Sequence, residues 1–525
     1  MVYISLSHNQ RLVRHALTTL LFLMHLDYKR NLEMKRSGHK HPYPFLYIHA
    51  VYRFHNQIQL IGVTREIDES RPINIAVQFG QDAAMFFMLK FKKIQTLVRH
   101  PHFNFEPSCM WHGYALTAML PKRIRPSKHD PPRAQQLQFS LAPPNNKVGD
   151  VLLVNLDTPS DHRTSRRFMS MCVLPIYFGT DWLQYMQFME AWILLGVGHY
   201  LTYYNTMSQD YAFAVGLYRR TADVDMIGWS MFPKPTRLCA QGDTVHSNIY
   251  TCGHLVAAND CVRRARVAHS KYLALFDVDE IMVVNRAHRR NNLARLMADY
   301  EASGQRAEIY RFRSAVSFHQ PMSLLLNHLH VNATGASTDS LRDVNFDYLR
   351  HINASYADVI RTKMIVDPFA VQQIHFHFVV DQNVAYRTER YVEPHTAFIA
   401  HLRTYKGQVY KKGTQWTTIN LSRLTDAMNR QWLRRLASVN LTTHPIPDIP
   451  SKKTAKRIGH LQEVLWRNKR SVCLSMWLHG DCCRHERWVE PDSQTWTMFL
   501  LTTNDNDTML ACKGGDQPQL KHDQL

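Results

Sequence analysis

The sequence predicts an α/β protein: a mostly parallel sheet with helices on both faces, preceded by a smaller β-rich region. Three observations carry this. Between positions 172 and 276, short apolar runs rich in β-branched and aromatic residues alternate with segments of helical period. Upstream, Phe45 to Val63 is dense in strand formers and has no helix cap. The chain has 525 residues, more than one ordinary core holds, which predicts about two or three domains.

The elements follow in order. Residues 1–44 form an N-terminal segment in which Arg11 and Arg14 precede the apolar run Ala16 to Leu26, and Lys29 and Arg30 follow it. That run has the length of a signal h-region and falls short of a full membrane span. A short signal-anchor and an amphipathic helix both fit it. Residues 45–165 form the β-rich region, with strands to about 120. Pro121, Pro126, Pro131, Pro132, Pro143 and Pro144 then mark 121–147 as an exposed loop or linker. Residues 168–405 form the α/β domain. It opens with a strand at Cys172 to Tyr177, and a helix carries Trp182, Tyr185, Met189 and Trp192 at helical spacing before Gly196 and Gly198 close it. A second strand at His199 to Tyr204, a helix at Tyr211 to Tyr218 and a third strand at Val224 to Trp229 come next. A long helix from Ser247 to His269 shows Leu255, Ala258, Val262 and Ala265 on one face. The strand Tyr272 to Phe276 then runs into Asp277. Residues 406–525 read as a C-terminal extension.

Composition is that of a globular protein, 45% hydrophobic and 20% charged. The net charge of +20 suits a nucleic acid, an anionic membrane surface or a phosphate-bearing small molecule. The cations are scattered, with only short clusters such as Arg263-Arg264, Arg289-Arg290 and Lys452-Lys453. No nucleic acid is expected as the partner. The 9 cysteines make no CxxC pair, which speaks against a structural zinc of usual spacing. Sequons at Asn332, Asn353, Asn420, Asn440 and Asn506 join the cysteines in favouring a secretory compartment.

The chemistry concentrates at Asp277-Val278-Asp279-Glu280, three acids between apolar Phe276 and apolar Ile281 to Val284. Crowded carboxylates at a strand end repel one another unless a cation joins them. Magnesium or manganese suits oxygen donors and keeps positions for diphosphate oxygens. The plainer reading is a solvated loop capped by nearby helix termini. Placement after an apolar strand favours the ligand site, because open α/β sheets bind ligands beyond the carboxyl ends of their strands.

Several motifs in order resemble one family. Cys172 to Tyr177, Glu190, Leu195-Gly196-Val197-Gly198-His199-Tyr200 and Tyr204-Asn205 resemble the opening of glycosyltransferase family 92. Asn259-Asp260-Cys261-Val262-Arg263 and Lys271 through Glu280 resemble its central block. Arg361 through Pro368, then His377, then His401-Leu402-Arg403 continue the likeness, with Leu402 where the family carries Tyr. The likeness spans about 45 to 405. It implies a GT-A-type, Rossmann-like fold and inverting transfer from a UDP-sugar, most plausibly UDP-galactose, onto a glycan acceptor. It also implies manganese as cofactor and a type II, single-pass Golgi membrane protein with a lumenal catalytic domain.

On this resemblance and the chemistry, Asp279 is expected as a metal ligand, Asp277 as a contact to metal, ribose or metal-bound water, and Glu280 as the group that orients them. His401 is the expected third ligand, with His377 as the alternative. Arg361, Lys363 and Arg403 are expected to neutralise the diphosphate, against the alternative of surface charge. Tyr177 and Asn205 are expected beside the nucleotide, and Asn205 fits a turn equally well. An inverting transfer needs a general base, and Asp343, Asp347 and Asp358 all remain candidates. A catalytically inactive glycan- or nucleotide-binding relative, or a basic nucleic-acid- or membrane-surface-binding protein, are the alternative functions.

Overall fold

The computed structural model describes residues 45–54, 57–65, 73–79, 85–94, 98–100, 103–105, 111–119, 136–141, 152–155, 167–177, 179, 181–230, 249, 253–285, 292–318, 341–355, 362–380, 388–403, 415–441, 488–489, 491 and 497–500. The apolar run 16–26, Arg361, Asp358, Asn332 and Asn506 lie outside these residues.

The N-terminal strands are Phe45–Phe54 (β1), Gln57–Arg65 (β2), Ile73–Phe79 (β3), Met85–Lys93 (β4), Val98–His100 (β5), Phe103–Phe105 (β6), Trp111–Met119 (β7), Gln136–Leu141 (β8) and Leu152–Asn155 (β9). A strand from the far end of the chain, Thr497–Leu500, lies against β1, and the antiparallel sheet then runs β1-β2-β7-β4-β3-β8-β9. The β-rich region is therefore as the composition predicts. The Pro-rich stretch differs from expectation, since β8 falls inside it and pairs with β3. Prolines at 131–132 and 143–144 bracket that strand and do not interrupt it, so its backbone amides stay free to pair.

The α/β part opens with Met169–Ile176 (β10), helix Trp182–Leu194 (α1), His199–Tyr204 (β11), Met207–Ser208 (β12), helix Gln209–Thr221 (α2) and Val224–Gly228 (β13). Helix His254–Val267 (α3), Tyr272–Leu275 (β14), Glu280–Val284 (β15) and helix Leu293–Ala302 (α4) follow. Ile309–Phe318 (β16), His351–Ser355 (β17), Thr362–Val366 (β18), Glu389–Val392 (β19), Ala397–Arg403 (β20), Thr417–Asn420 (β21) and helix Ser422–Ser438 (α5) complete it. Side-chain caps start three of the helices: Asp181 accepts from the Gln184 amide, Ser208 from Tyr211 and Asn292 from Arg295. Gly196 closes α1 at φ +98, and a Cβ there would stand 2.5 Å from that of Ala294, so only glycine fits.

The four strands read from the sequence do form one parallel set, in the order β13-β11-β10-β14. The expectation of a mostly parallel sheet needs correction. The sheet continues from β14 into antiparallel β18, and β16 then runs antiparallel to β18 and β17. Only β19 and β20 restore parallel pairing, each against β16. Among the described residues no α-helix stands between β16 and β20, and antiparallel pairing needs none. Strand β14 is bonded within β10-β14-β18, whereas β15, four residues on, leaves that ladder and pairs with β20. The long strand β16 spans both groups, with β18 and β19 along its first half and β17 and β20 along its second.

Alternation along the parallel strands sends Met169, Met171, Tyr272 and Ala274 to one core and Cys172, Leu273 and Leu275 to the other. Helices α1, α2, α4 and α5 cover the first face. Helix α3 covers the second, and behind it lies the N-terminal sheet, which contributes Tyr47, Tyr52, Ile61, Val63 and Trp111 to the same core. The sequence shows one apolar face on α3; the structure buries it all round, including Asn259, Asp260, Arg263 and Arg266. A disulfide between Cys172 and Cys261 fastens α3 to β10. The helix is shorter than read from the sequence: it begins beyond Gly253, which takes φ +81, and Ile249 lies in a bridge with Trp111.

Candidate functional site

The acidic turn is built where β14 ends. The Glu280 amide donates to the Asp277 carbonyl at 3.0 Å, and the Asp277 amide donates to Glu280 Oε2 at 2.9 Å. The glutamate thus caps its own turn. From α1, the Trp192 indole N–H donates to the Glu280 carbonyl at 3.0 Å, and its ring lies 4.5 Å from that of Phe276. The apolar residues on each side anchor the turn in the core, which leaves its backbone little freedom.

Strand β20 supplies the histidine. Glu280 and His401 are register partners, and the Leu402 amide donates to the Asp279 carbonyl at 2.8 Å. His401 Nε2 lies 3.0 Å from Asp279 Oδ2, and its Nδ1 lies 3.8 Å from Glu280 Oε1. Strand β18 supplies the cation. Lys363 Nζ stands 2.7 Å from Asp277 Oδ2 and 3.0 Å from Glu280 Oε2. Side-chain exposure divides the group: Asp277 is 44% and Asp279 21% exposed, whereas Glu280 is 1% and Lys363 5% exposed. Two carboxylates and an imidazole line the rim, over a buried lysine and glutamate.

Burial works to raise the Asp277 pKa, but the Lys363 ammonium prevails and holds the carboxyl well below its ordinary range. Burial likewise works against the charge of Lys363, and Asp277 and Glu280 overcome it, so the lysine stays protonated beyond its usual range. Glu280 is raised, with burial as the leading cause. His377 sits close enough to add to the lowering of Asp277. Its Nδ1 donates to the Thr362 carbonyl at 2.8 Å, which sets the tautomer.

The sequence candidates separate in space. Asp277, Asp279, Glu280, Lys363 and His401 come together, with His377 beside them. Tyr177 and Asn205 follow β10 and β11, parallel neighbours of β14, and so stand on the same rim of the sheet. Tyr177 is half-buried, its ring 5.3 Å from that of His254. Asn205 is buried, and its side-chain amide donates to the Trp229 carbonyl at 2.7 Å, a tie between the ends of two neighbouring strands and not a local turn contact. Arg403 closes β20; its side chain, like all of Arg361, lies outside the described residues. Among the base candidates, Asp347 accepts from Arg350 and Asn429 at 2.8 and 3.0 Å, while Asp343 stands exposed on a short 3-10 turn.

Sequence reading missed the partners of Lys363. The signal was a lone lysine in Thr362-Lys363-Met364-Ile365-Val366, a strand buried throughout. A charge inside such a run needs an acid opposite it. Also missed was the group His199, Asp223 and Asp225, whose donor atoms lie within 4.8 Å of one another. His199 begins β11 and Asp225 lies early in β13, so this group occupies the opposite rim.

A mixed α/β body thus carries, at one strand end, an acidic turn with a histidine opposite and a buried lysine beneath, oxygen and nitrogen donors of the kind that suit a divalent cation. Residues 167–437 match the model of glycosyltransferase family 92, and the chain belongs to that family. The family makes the protein a glycosyltransferase, an enzyme with a sugar donor and an acceptor. No curated protein matches the chain. Among solved structures, a mycobacterial protein is 11% identical, over 54% of this chain and 77% of that one, with a TM-score of 0.22. A cyclomaltodextrinase is 11% identical, over 52% and 45%, with a TM-score of 0.12. Likenesses of this size carry no argument about fold or activity.

Proposed function

We propose that the protein is a metal-dependent glycosyltransferase of GT-A type that moves a hexose, galactose as first choice, from a UDP-sugar to a glycan with inversion. The observation that carries the reading is the pairing of Asp279 with His401 at the rim of β14, beside the exposed carboxylate of Asp277. The donor set fits manganese or magnesium: carboxylate oxygens and one imidazole nitrogen, two of them 3.0 Å apart. Asp279 Oδ2 and His401 Nε2, with the exposed carboxylate of Asp277 beside them, would hold the ion. When bound, it supplies positive charge to the diphosphate leaving group.

The chain's own residues do the rest. Glu280 and Trp192 fix the turn, so Asp277 and Asp279 are in place before substrate arrives. Asp277, exposed and kept ionised by Lys363, accepts hydrogen bonds from the donor's ribose or from ordered water. Tyr177, on the same rim, borders the nucleotide. The setting is secretory. The Cys172–Cys261 disulfide favours an oxidising compartment, as do the sequons, and the family implies the Golgi. Among the described residues no helix is long and apolar enough to cross a membrane.

The test is release of UDP from UDP-galactose by purified protein with manganese and a panel of glycan acceptors. Chelator should stop turnover, and Asp279→Asn should lower it at least about a hundredfold, the scale of one strong electrostatic contact. A preference for UDP-glucose or UDP-N-acetylglucosamine would move the donor and keep the class. Silence with every nucleotide sugar from folded protein would sink the catalytic reading.

A further inference from the structure

We propose that Lys363 is a positioning residue, the resident counter-ion of the acidic turn. Its ammonium holds Asp277 and Glu280 together, which leaves Asp279 and His401 as the pair that meets a divalent cation. This rests on the metal reading of the site and goes beyond it by dividing the cluster into an internally neutralised half and a metal-binding half.

The geometry makes the division. Nζ reaches Asp277 Oδ2 at 2.7 Å and Glu280 Oε2 at 3.0 Å. The same Glu280 oxygen accepts the Asp277 amide at 2.9 Å, so lysine, glutamate and backbone close one ring of contacts beneath the turn. Asp279 turns the other way, towards His401. With Lys363 in place, one positive charge stands under two carboxylates. Take it away and Glu280, 1% exposed, keeps the Asp277 amide and, at 3.8 Å, the His401 ring against its carboxylate, beside the carboxylate of Asp277. Buried charge without a partner is strongly destabilising.

Lysine suits this position. Its charge is compact, on an apolar stem that runs through the buried strand β18. The sequence alone suggests a different task, contact with the diphosphate. A side chain 5% exposed and engaged by two acids is poorly placed for that.

The two roles part experimentally. The full chain would be prepared as wild type, Lys363→Met, Lys363→Arg and the double variant Lys363→Met with Asp277→Asn. Thermal midpoints would be read in chelator and in excess manganese, manganese affinity by calorimetry, and UDP affinity at saturating manganese. The counter-ion role expects Lys363→Met to melt lower than wild type in chelator. Manganese should then raise its midpoint by more than it raises the wild type's, because the ion supplies the missing charge. The double variant should recover much of the loss in chelator, and Lys363→Arg should stand between. UDP affinity at saturating manganese should stay within about twofold of wild type. A loss of about tenfold or more in UDP affinity, with an unchanged midpoint in chelator, would overturn the proposal and make Lys363 a diphosphate contact. A double variant no more stable than Lys363→Met would overturn it too, and that comparison holds if Lys363→Met alone fails to fold. Wild-type protein that binds no manganese would defeat the metal reading, while the comparison in chelator would still judge the counter-ion.

Discussion

At the scale of single residues, two histidines approach the acidic turn and only one is held as a ligand would be. His401 is the register partner of Glu280 and lies 3.0 Å from Asp279. His377 is oriented through Nδ1 by the Thr362 carbonyl, and its charge helps to lower Asp277. His401→Ala should therefore weaken manganese binding by about tenfold or more, while His377→Ala leaves it within about twofold. Calorimetry with manganese alone measures both, and the reverse ranking would exchange their roles. The acids were legible in the sequence because three of them interrupt two apolar runs. The lysine was legible only as a cation, since its partners lie 86 and 83 positions away and no local pattern spans that distance.

Among the elements, α3 shows most clearly what periodicity leaves out. Its apolar face was visible, but the polar residues on its other side are buried too, against the N-terminal sheet. Asp260 is fully buried and accepts from Tyr52 and Tyr203 at 2.5 Å each and from Arg264 at 2.8 Å. Tyr52 belongs to β1, so this carboxylate joins three elements. Burial works to raise its pKa, but Arg264, His49 and the two tyrosines together hold it below the ordinary range. A carboxyl lowered on folding adds stability that is complete above its unfolded pKa and is lost as pH falls through the folded one. Asp260→Asn should cost about 3 kcal/mol or more near neutral pH, as for one partner removed from a buried ion pair. The gap from wild type should close as pH drops below about 4. Melting curves from pH 7 down to about 3 would show it, and a gap independent of pH would mean that the carboxylate's charge is not what holds these elements together.

At the scale of the whole molecule, the parallel half of the sheet was readable because each strand alternates with a helix, a pattern carried in consecutive residues. The antiparallel half was not, since β16, β18 and β20 find their partners through pairings that no local periodicity records. The N-terminal sheet likewise reads as a separate region, yet it shares a core with α3 and receives the strand 497–500. Two sequons fall side by side on one exposed edge: Asn353 on β17 pairs with Thr418, next to Asn420 at the end of β21. Oδ1 of Asn420 accepts the Ser422 amide, a bond that a glycan on Nδ2 would leave intact. Chain expressed with its own N-terminus should lose mass on glycosidase treatment, and Asn353→Gln and Asn420→Gln should each remove part of that shift. No shift in any of them would place the protein outside the secretory route.

The chain leaves one ladder and enters another between β14 and β15, and the acidic turn is that crossing point. Asp277 and its lysine belong to the branch built on β18, and Asp279 with its histidine to the branch built on β20. A ligand seated there would be gripped from both limbs of a fork. The amides of β18 and β20 should slow their exchange with deuterium together when manganese and UDP bind, while those of β11 and β13 hardly change. Slowing confined to one limb would mean that the ligand leans on a single tine.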